Sequence, residues 1–291
     1  MGSYSIKELE TLSGIKAHTI RIWEKRHNII APKRTTTNIR YYSDDDLKKI
    51  INVSLLNNSG LKISKIARMT DPELNSEIVQ LAESKSEASI FIDQLVVCMI
   101  DMEEEQFEKL LSHLIMKFGF ERTITEIVYP FLEKIGILWQ TGNITPAQEH
   151  FISNLVRQKI IVAIDSLPFP KPNAIKVVLF LPENELHEIG LLFYHYLVRA
   201  CGYKTFYLGQ HLPYDDLKQV CAKHEPAIII TSIIASQRPQ KITEYLQKLN
   251  QDFPTPLILI GGNPDPKNIP QRSNFKVIKN ATALKAILAD F

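Results

Sequence analysis

The sequence contains only three cysteines, 11 glycines and no long apolar run, and each of these scarcities excludes a class of protein. So few glycines exclude a collagen-like chain, in which about one residue in three is glycine. The cysteines, Cys98, Cys201 and Cys221, are odd in number and widely separated, so they give no readable disulfide framework or zinc site. The longest apolar stretches, such as residues 95–100 and 177–181, are far shorter than the roughly 20 residues that cross a bilayer. The N-terminus also lacks the basic start and apolar run of a secretory signal. The sequence therefore predicts a cytoplasmic protein with no membrane partner.

The 291-residue chain has the composition of a globular protein, with 45% hydrophobic and 23% charged residues, and its length predicts two or three domains. Its net charge of +2 hides an uneven distribution. Residues 1–70 carry 13 Lys and Arg against 6 Asp and Glu, whereas the remaining residues carry 21 against 26. This basic first quarter predicts an electrostatic partner for the N-terminal part, with nucleic acid as the leading candidate.

The N-terminal residues have the pattern of two short helices joined by a turn. Ser5 and Glu8 have the spacing of a capping box for a helix over residues 5–12, and Gly14 ends that helix. A second helix is predicted over residues 17–26. Two such helices joined through a glycine turn indicate a helix-turn-helix.

A small basic hairpin is predicted next, with residues 32–35 and 40–42 on either side of a polar tip at residues 36–38. A last short helix, over about residues 64–69, is expected to end before Asp71-Pro72. The character of the sequence changes at this point, so the first domain boundary is predicted near Pro72.

The first 70 residues or so resemble the winged helix-turn-helix of the MerR family through residues 19–26 (TIRIWEKR), 32–35 (PKRT) and 40–43 (RYYS). The resemblance implies that the second helix enters a major groove of double-stranded DNA. Base edges would be met by the side chains near its start, namely Lys16, His18 and Thr19. Phosphates would be contacted by Arg21, Lys33, Arg34 and Arg40, with Trp23 packed close to the DNA backbone.

Residues 73–167 have helical periodicity almost throughout, and short connections between such helices predict a four-helix bundle. Pro168, Pro170 and Pro172 then mark a linker, after which near-continuous apolar runs alternate with helical stretches. Buried parallel strands have this signature, so the last part is predicted to be an open, doubly wound α/β domain of the flavodoxin-like or Rossmann-like type. The predicted domains are thus 1–72, 73–167 and 168–291.

The α/β domain has a histidine at a position where ligands bind. Residues 185–190 (ELHEIG) follow a predicted strand, and His187 lies just before the next predicted helix. Open α/β sheets bind ligands in the crevice beyond the carboxyl end of a central strand, and a neutral imidazole there can bind a transition metal. Glu185 is placed to accept the other ring N–H, and Gly190 is placed to permit close approach of a ligand.

Together with Ser232 and the Gly261-Gly262 pair, this segment resembles the cobalamin-binding domain of corrinoid proteins over roughly residues 172–291. The resemblance implies that His187 is the lower ligand of cobalt, in place of the cofactor's own benzimidazole. It also implies that the displaced nucleotide tail enters a slot in the domain, where Ser232 hydrogen-bonds its base and the two glycines leave room for its passage. Surface or core positions are predicted for the other histidines of this domain, His195, His211 and His224.

Upstream, Trp139 is followed after nine residues by Glu149-His150, near the start of a helix that Pro146 opens. This arrangement resembles the helical bundle that covers the upper face of cobalamin in light-responsive transcriptional repressors of the CarH type. The resemblance implies that Trp139 packs on the upper axial group, with Glu149 and His150 beside it. Those repressors usually carry a histidine directly after this tryptophan, whereas this chain has Gln140, and glutamine is a poor cobalt ligand.

The sequence thus predicts a cobalamin-dependent, DNA-binding transcriptional regulator of the repressor type, and not an enzyme. The resemblance implies adenosylcobalamin as cofactor, light as a candidate trigger, a double-stranded DNA operator as partner, and a dimer or tetramer as the assembled state. Two alternatives stay open: a corrinoid methyl carrier or methyltransferase component, and a regulator of the same fold that senses another small molecule or a protein. The basic N-terminal module argues against the first, and the joint presence of Glu185, His187 and Gly190 argues against the second.

Overall fold

The computed structural model describes residues 4–36, 38–84, 88–140, 144–234, 239–262, 269 and 274–291, with side chains at all of these except 75, 79–84, 137–140 and 239–241. The chain divides into two compact units, Met1–Leu155 and Val156–Phe291. None of the described helices is long and apolar enough to span a membrane.

Unit 1 begins with a helix-turn-helix and a hairpin, in the order that the sequence predicts. The elements of this head are α1 (Ile6–Ser13), α2 (Ala17–His27), β1 (Lys33–Arg34), β2 (Arg40–Tyr41), α3 (Asp44–Asn58) and α4 (Ile63–Ile66). The capping box of Ser5 and Glu8 is present, and Gly14 ends α1 in the left-handed conformation with φ +71°. β1 and β2 pair antiparallel, which confirms the hairpin, while Thr37 of its predicted tip lies outside the described residues.

The rest of unit 1 is helical. Its elements are α5 (Asp71–Ser84), α6 (Ala88–Asp101), α7 (Glu104–Phe118), α8 (Phe120–Thr123), α9 (Tyr129–Gln140) and the first part of α10 (Pro146–Asp165). A π-helical turn, Ile124–Val128, joins α8 to α9. α6 packs against α7 and α9, and Phe107 and Phe131 meet in the core with their ring centroids 5.9 Å apart.

The short last helix of the head ends before Asp71-Pro72, as predicted, because α4 stops at Ile66. α5 begins at Asp71, because a proline in the first turn of a helix lacks only an N–H that has no partner inside the helix. The start is stabilised by Glu73, whose carboxylate accepts hydrogen bonds from the backbone N–H and the hydroxyl of Thr70, at 2.7 and 2.9 Å. Asp71-Pro72 therefore opens a helix, and the domain boundaries near residues 72 and 168 remain predictions.

Unit 2 contains a parallel sheet whose strands lie in the order β4-β3-β5-β6-β7. Those strands are β3 (Lys176–Pro182), β4 (Lys204–Leu212), β5 (Ile228–Ile233), β6 (Leu257–Gly262) and β7 (Phe275–Val277). Between and after them lie α11 (Glu188–Ala200), α12 (Tyr214–His224), α13 (Pro239–Asp252) and α14 (Ala281–Ala289). This strand order is that of flavodoxin-like sheets and confirms the predicted doubly wound fold. The edge strand β7 is not among the predicted strands, because three residues give too short a pattern.

The central strands are largely apolar because helices cover both faces of such a sheet. Val178, Ile229 and Ile258, on β3, β5 and β6, are fully buried. From β3 the sheet extends to β4 on one side and to β5 on the other, so the strand order reverses between β3 and β5. Sheets of this kind bind ligands at the carboxyl ends of the strands on either side of such a switch point.

Candidate functional site

The head presents most of its predicted DNA-contacting residues at the surface. Exposed positions are occupied by Lys16, His18, Arg21, Lys33 and Arg34, and half-buried ones by Thr19 and Arg40. Trp23 is buried, so its side chain lies mainly in the core of the head, and its contact with DNA stays a prediction. The exposed set is basic, as a surface that neutralises phosphates must be.

Glu10 fixes the start of α2, a role that the sequence interpretation missed. Lys16 supplies no side-chain cap to α2, and Glu10 Oε2 instead accepts a hydrogen bond of 3.1 Å from the backbone N–H of Ala17. This bond, together with the bond from Lys16, lowers the pKa of Glu10. The carboxylate therefore joins the end of α1 to the beginning of the helix that is predicted to enter the groove.

Glu24 joins α2 to the hairpin. Its carboxylate accepts a hydrogen bond from the hydroxyl of Tyr42, and its Oε2 lies 3.7 Å from Nε of Arg40. On the hairpin itself, Arg34 Nη1 donates a hydrogen bond of 2.6 Å to Oδ1 of Asn38. These contacts hold the two arginines in place, so the position of the hairpin relative to α2 is set by groups within the head.

Glu185 holds His187 at the carboxyl end of β3. The Glu185 side chain is 1% exposed, and its Oε1 lies 2.6 Å from Nδ1 of the His187 ring. The same carboxylate accepts hydrogen bonds from the backbone N–H groups of His187, at 3.0 Å, and of Ile234, at 2.8 Å. Since Ile234 follows β5, one buried carboxylate ties the loops on both sides of the switch point together.

The surroundings of His187 suit a large, flat ligand that brings its own metal. The side chain is 60% exposed, and with Nδ1 held by Glu185 the ring nitrogen suited to a metal is Nε2. Leu186 and Ile234 are 62% and 49% exposed, which places large apolar side chains next to the imidazole in the chain and across the switch point. The space that a side chain at Gly190 would occupy is open. Within the described ranges, no cluster of three or more His, Cys, Asp or Glu side chains could hold a bare metal ion.

Glu188 anchors the first turn of α11, and the sequence interpretation missed it too. Its buried carboxylate accepts a hydrogen bond of 2.7 Å from Nε of Arg157 on α10 and one of 2.8 Å from the hydroxyl of Tyr207 on β4. Burial, with the hydrogen bond to Glu188, raises the pKa of Tyr207. The residue directly after His187 is therefore fixed to two other elements of unit 2. An acidic residue in a first helical turn gave no signal of this role, because it usually serves only the helix dipole.

Ser232, Gly261 and Gly262 lie together at the ends of β5 and β6. Ser232 pairs in register with Gly261, and its buried Oγ has no hydrogen-bond partner among the residues that the structure describes. A buried hydroxyl in this condition suits a polar ligand group. The space beside Gly261, however, is filled by the ring of Tyr194. The polar groups at His187 and Ser232 therefore fit cobalamin, while the expected passage for its tail contains a side chain.

Trp139, Glu149 and His150 belong to unit 1. Trp139 and Gln140 end α9, and their side chains lie outside the described part. On α10, Glu149 Oε1 accepts a hydrogen bond of 2.9 Å from the hydroxyl of Ser153, and Glu149 Oε2 lies 3.4 Å from Nε2 of the exposed His150. The predicted Glu-His pair is therefore in mutual contact.

The other histidines of unit 2 have partners within the domain. Nε2 of His195 lies 2.9 Å from Oγ1 of Thr205, and its ring stacks on Tyr207 with the centroids 4.8 Å apart. Burial, and then the charge of Arg199, lowers the pKa of His195 to about 4. Contacts within the domain are also made by His211 and His224.

Families of known proteins match two segments of this chain, the head and the helices that follow it. Residues 4–72 match the family described as MerR HTH family regulatory protein, and residues 91–163 match the family described as B12 binding domain. The HTH-type transcriptional repressor CarH of Myxococcus xanthus is 25% identical over 267 residues, which cover 89% of each protein. The repressor CarA of the same organism is 24% identical over 260 residues, which cover 88% of this chain and 85% of CarA.

A solved structure with the same fold is the monomethylamine corrinoid protein of Methanosarcina barkeri. Its TM-score is 0.58 at 16% identity, and the match covers 70% of this chain and 99% of that one. The MerR match spans the head, and the B12 match spans the helices from α6 to α10. This chain therefore carries a MerR-type helix-turn-helix domain and a B12 binding domain in one polypeptide, and it is a homologue of the CarH and CarA repressors.

Proposed function

We propose that this protein is a transcriptional repressor of the cytoplasm that binds cobalamin, and that the state of the cofactor controls its binding to a double-stranded DNA operator. The observation that carries the proposal is the exposed His187 ring, held by a buried Glu185 at the switch point of the sheet, in a chain whose head exposes a basic helix-turn-helix. The His187 site suits a ligand that carries a metal, and the basic surface of the head suits a polyanion such as DNA.

On the cofactor side, His187 would hold cobalamin through Nε2, and Glu185 would fix the orientation of the ring. Bound cobalamin would supply the cobalt centre itself, so a single imidazole from the protein would suffice to hold it. Ser232 would satisfy its buried hydroxyl on the nucleotide tail. Trp139, Glu149 and His150 are proposed for the upper side of the cofactor.

On the DNA side, the beginning of α2 would enter the major groove. Arg21, Lys33 and Arg34 are exposed and would bind phosphates, as would the part of Arg40 that Glu24 leaves accessible. Base edges are assigned to the side chains around the start of the helix, Lys16, His18 and Thr19. The contacts of Glu10 and Glu24 would keep this surface in one geometry, since they fix α2 to α1 and to the hairpin.

For the signal, we propose adenosylcobalamin as the cofactor and light as the trigger that removes its upper group. A dimer or tetramer would place several heads on one operator and bind it more tightly through effective concentration, so disassembly would release the DNA. Gln140 follows Trp139 in the chain, and because an amide is a poor cobalt ligand, that position would not hold the cofactor after illumination.

The cofactor assignment is tested by incubating the full-length protein in darkness with adenosylcobalamin or methylcobalamin, desalting it and recording absorption spectra. The wild type should retain colour and His187→Ala should lose it. His224→Ala is the matched control, because His224 lies on α12 and stacks on Phe206 in the same unit. A colourless wild type, or equal retention by His187→Ala, would contradict the proposal.

Illumination of the same samples with green light, followed by gel filtration, tests light as the trigger. An unchanged elution volume would reduce the claim to sensing of the cofactor in the dark.

A corrinoid methyl carrier is the main rival, since the fold of this chain is shared by a corrinoid protein. The two functions differ in their need for the head. A repressor binds DNA fragments through the head with strong salt dependence, whereas a carrier has no use for that surface. Retention of DNA on the loaded protein at low salt, lost in a variant of Arg21, would favour the repressor.

A further inference from the structure

Tyr194 occupies the space next to Gly261. A Cβ atom at position 261 would lie 2.3 Å from Cε2 and 2.6 Å from the hydroxyl oxygen of Tyr194, distances at which two atoms cannot coexist. The hydroxyl accepts a hydrogen bond from the backbone N–H of Gly262, and burial raises the pKa of this tyrosine. The ring therefore lies across the end of β6 and is fixed there by a polar contact.

Ser232 lies on the same side of the sheet as this ring. Side chains that are paired in register on adjacent strands point to the same face, and Ser232 pairs with Gly261. The Cβ direction of Gly261 is the one that Tyr194 blocks, so the Ser232 hydroxyl points to the face on which α11 carries Tyr194. On this face of β5 and β6, the Tyr194 ring thus fills the space next to the buried Ser232 hydroxyl. Among the described residues, that hydroxyl has no hydrogen-bond partner.

We propose that Tyr194 determines which corrinoids the domain accepts, by occupying the space that a lower nucleotide tail needs. This inference rests on the proposed cobalamin binding and specifies its ligand class. A corrinoid with a tail must displace the ring and break its bond to Gly262, whereas a corrinoid without a tail reaches His187 with the ring in place. The ring lies about two turns along α11 from His187, so the two residues act on different parts of one ligand.

The test compares the dissociation constants of aquacobalamin, which has the tail, and diaquacobinamide, which lacks it, by absorption titration of the full-length protein. The informative quantity is the ratio of the two constants, because a general loss of stability affects both ligands alike. Tyr194→Ala should shift this ratio about tenfold toward aquacobalamin relative to the wild type. Tyr196→Ala, which removes a ring of the same size from the same helix, should leave the ratio unchanged.

Tyr194→Leu covers the case in which the alanine variant does not fold, because leucine keeps an apolar side chain against the sheet but leaves the end of β6 uncovered. It should shift the ratio in the same direction by about threefold. An unchanged ratio in the folded variants, with both ligands bound, would overturn the role of Tyr194 and leave the proposed function intact. Failure of the wild type to bind either corrinoid would overturn the proposed function, and this inference with it.

Discussion

Nζ of Lys48, on α3 of the head, lies 2.7 Å from Oδ1 of Asp101, the last residue of α6. Burial alone would lower the pKa of Lys48, but its hydrogen bonds to Asp101 and Asp45 outweigh burial and raise it. One residue earlier, the carbonyl of Ile100 accepts a hydrogen bond of 3.1 Å from the side chain of Gln148 on α10. The end of α6 is therefore bonded both to the head and to the helix that carries the Glu-His pair.

We predict that Lys48 and Asp101 are energetically coupled. A double-mutant cycle of Lys48→Met and Asp101→Asn, followed by urea unfolding, should give a coupling of about 0.5–1 kcal/mol, since both side chains are partly exposed. The coupling should fall in high salt. The matched control is Lys49 and Asp71, which are more exposed and 3.9 Å apart, and which should show almost no coupling. Equal values for the two pairs would contradict a specific role of the α6 end.

Removing the charge of Glu185 should weaken corrinoid binding. Glu185→Gln keeps the shape, but its amide group cannot accept all three N–H groups that the carboxylate now binds, so the His187 ring loses its fixed orientation. We expect affinity to fall about 10- to 100-fold, as is usual when the residue that orients a metal-binding histidine is changed. Absorption titration measures the loss. Glu183→Gln, two residues away, is the control, and a similar effect of both variants would count against this role.

Arg21 should contribute to DNA binding without regard to sequence. Because the side chain is exposed on α2 and assigned to a phosphate, Arg21→Ala should weaken binding to every duplex tested and make the slope of log K against log salt less negative by about 0.9. Fluorescence anisotropy on unrelated duplexes at several salt concentrations provides the measurement. Arg122→Ala, in α8 outside the head, should leave both quantities unchanged. A loss confined to one duplex would instead indicate a base contact.

Local signals in the sequence were sufficient for most of the elements. The Ser5 and Glu8 capping box lies within four residues and predicts α1, and the apolar strands are read from their own composition. The Glu185 and His187 contact spans two residues at the end of a strand, so the fold class was enough to expect it. Features encoded within a few positions were therefore predictable.

Contacts between distant segments were not predictable, because nothing local encodes them. Tyr194 and Gly261 are separated by the whole sheet topology, and without the strand order nothing indicates that the helix ring meets the strand end. Glu188 likewise finds Arg157 and Tyr207 only once α10, α11 and β4 are in place. In the sequence, ordinary helix-surface or strand positions are all that is indicated for Tyr194, Glu188, Arg157 and Tyr207.

The low pKa of His195 predicts a pH dependence of stability. Its value of about 4 in the folded state lies below the ordinary 6.5, so between these values the unfolded chain binds a proton that the folded chain does not. The neutral His195 ring therefore makes its full contribution to the free energy of unfolding above pH 6.5. This contribution is lost as the pH falls toward 4, by about 3 kcal/mol at most. Urea unfolding at several pH values should show a shallower dependence for His195→Gln. An equal dependence in both proteins would contradict the assignment, and His150→Gln, an exposed histidine, is the control.

Gly261 and Tyr194 should be strongly coupled in their effects on stability. Gly261→Ala places a methyl group 2.3 Å from the Tyr194 ring, so the ring or the strand must move, and overpacking of this kind costs about 1–3 kcal/mol. Tyr194→Ala creates the space that this methyl group needs, so the double variant should be more stable than the sum of the single effects indicates. Urea unfolding of the wild type and the three variants gives the interaction energy. Gly190→Ala, whose methyl group meets open space on the same helix, should not be rescued by Tyr194→Ala. If the destabilisation of Gly261→Ala is the same with and without the ring, then Tyr194 does not limit the space at the end of β6, and its proposed effect on corrinoid selection loses its physical basis.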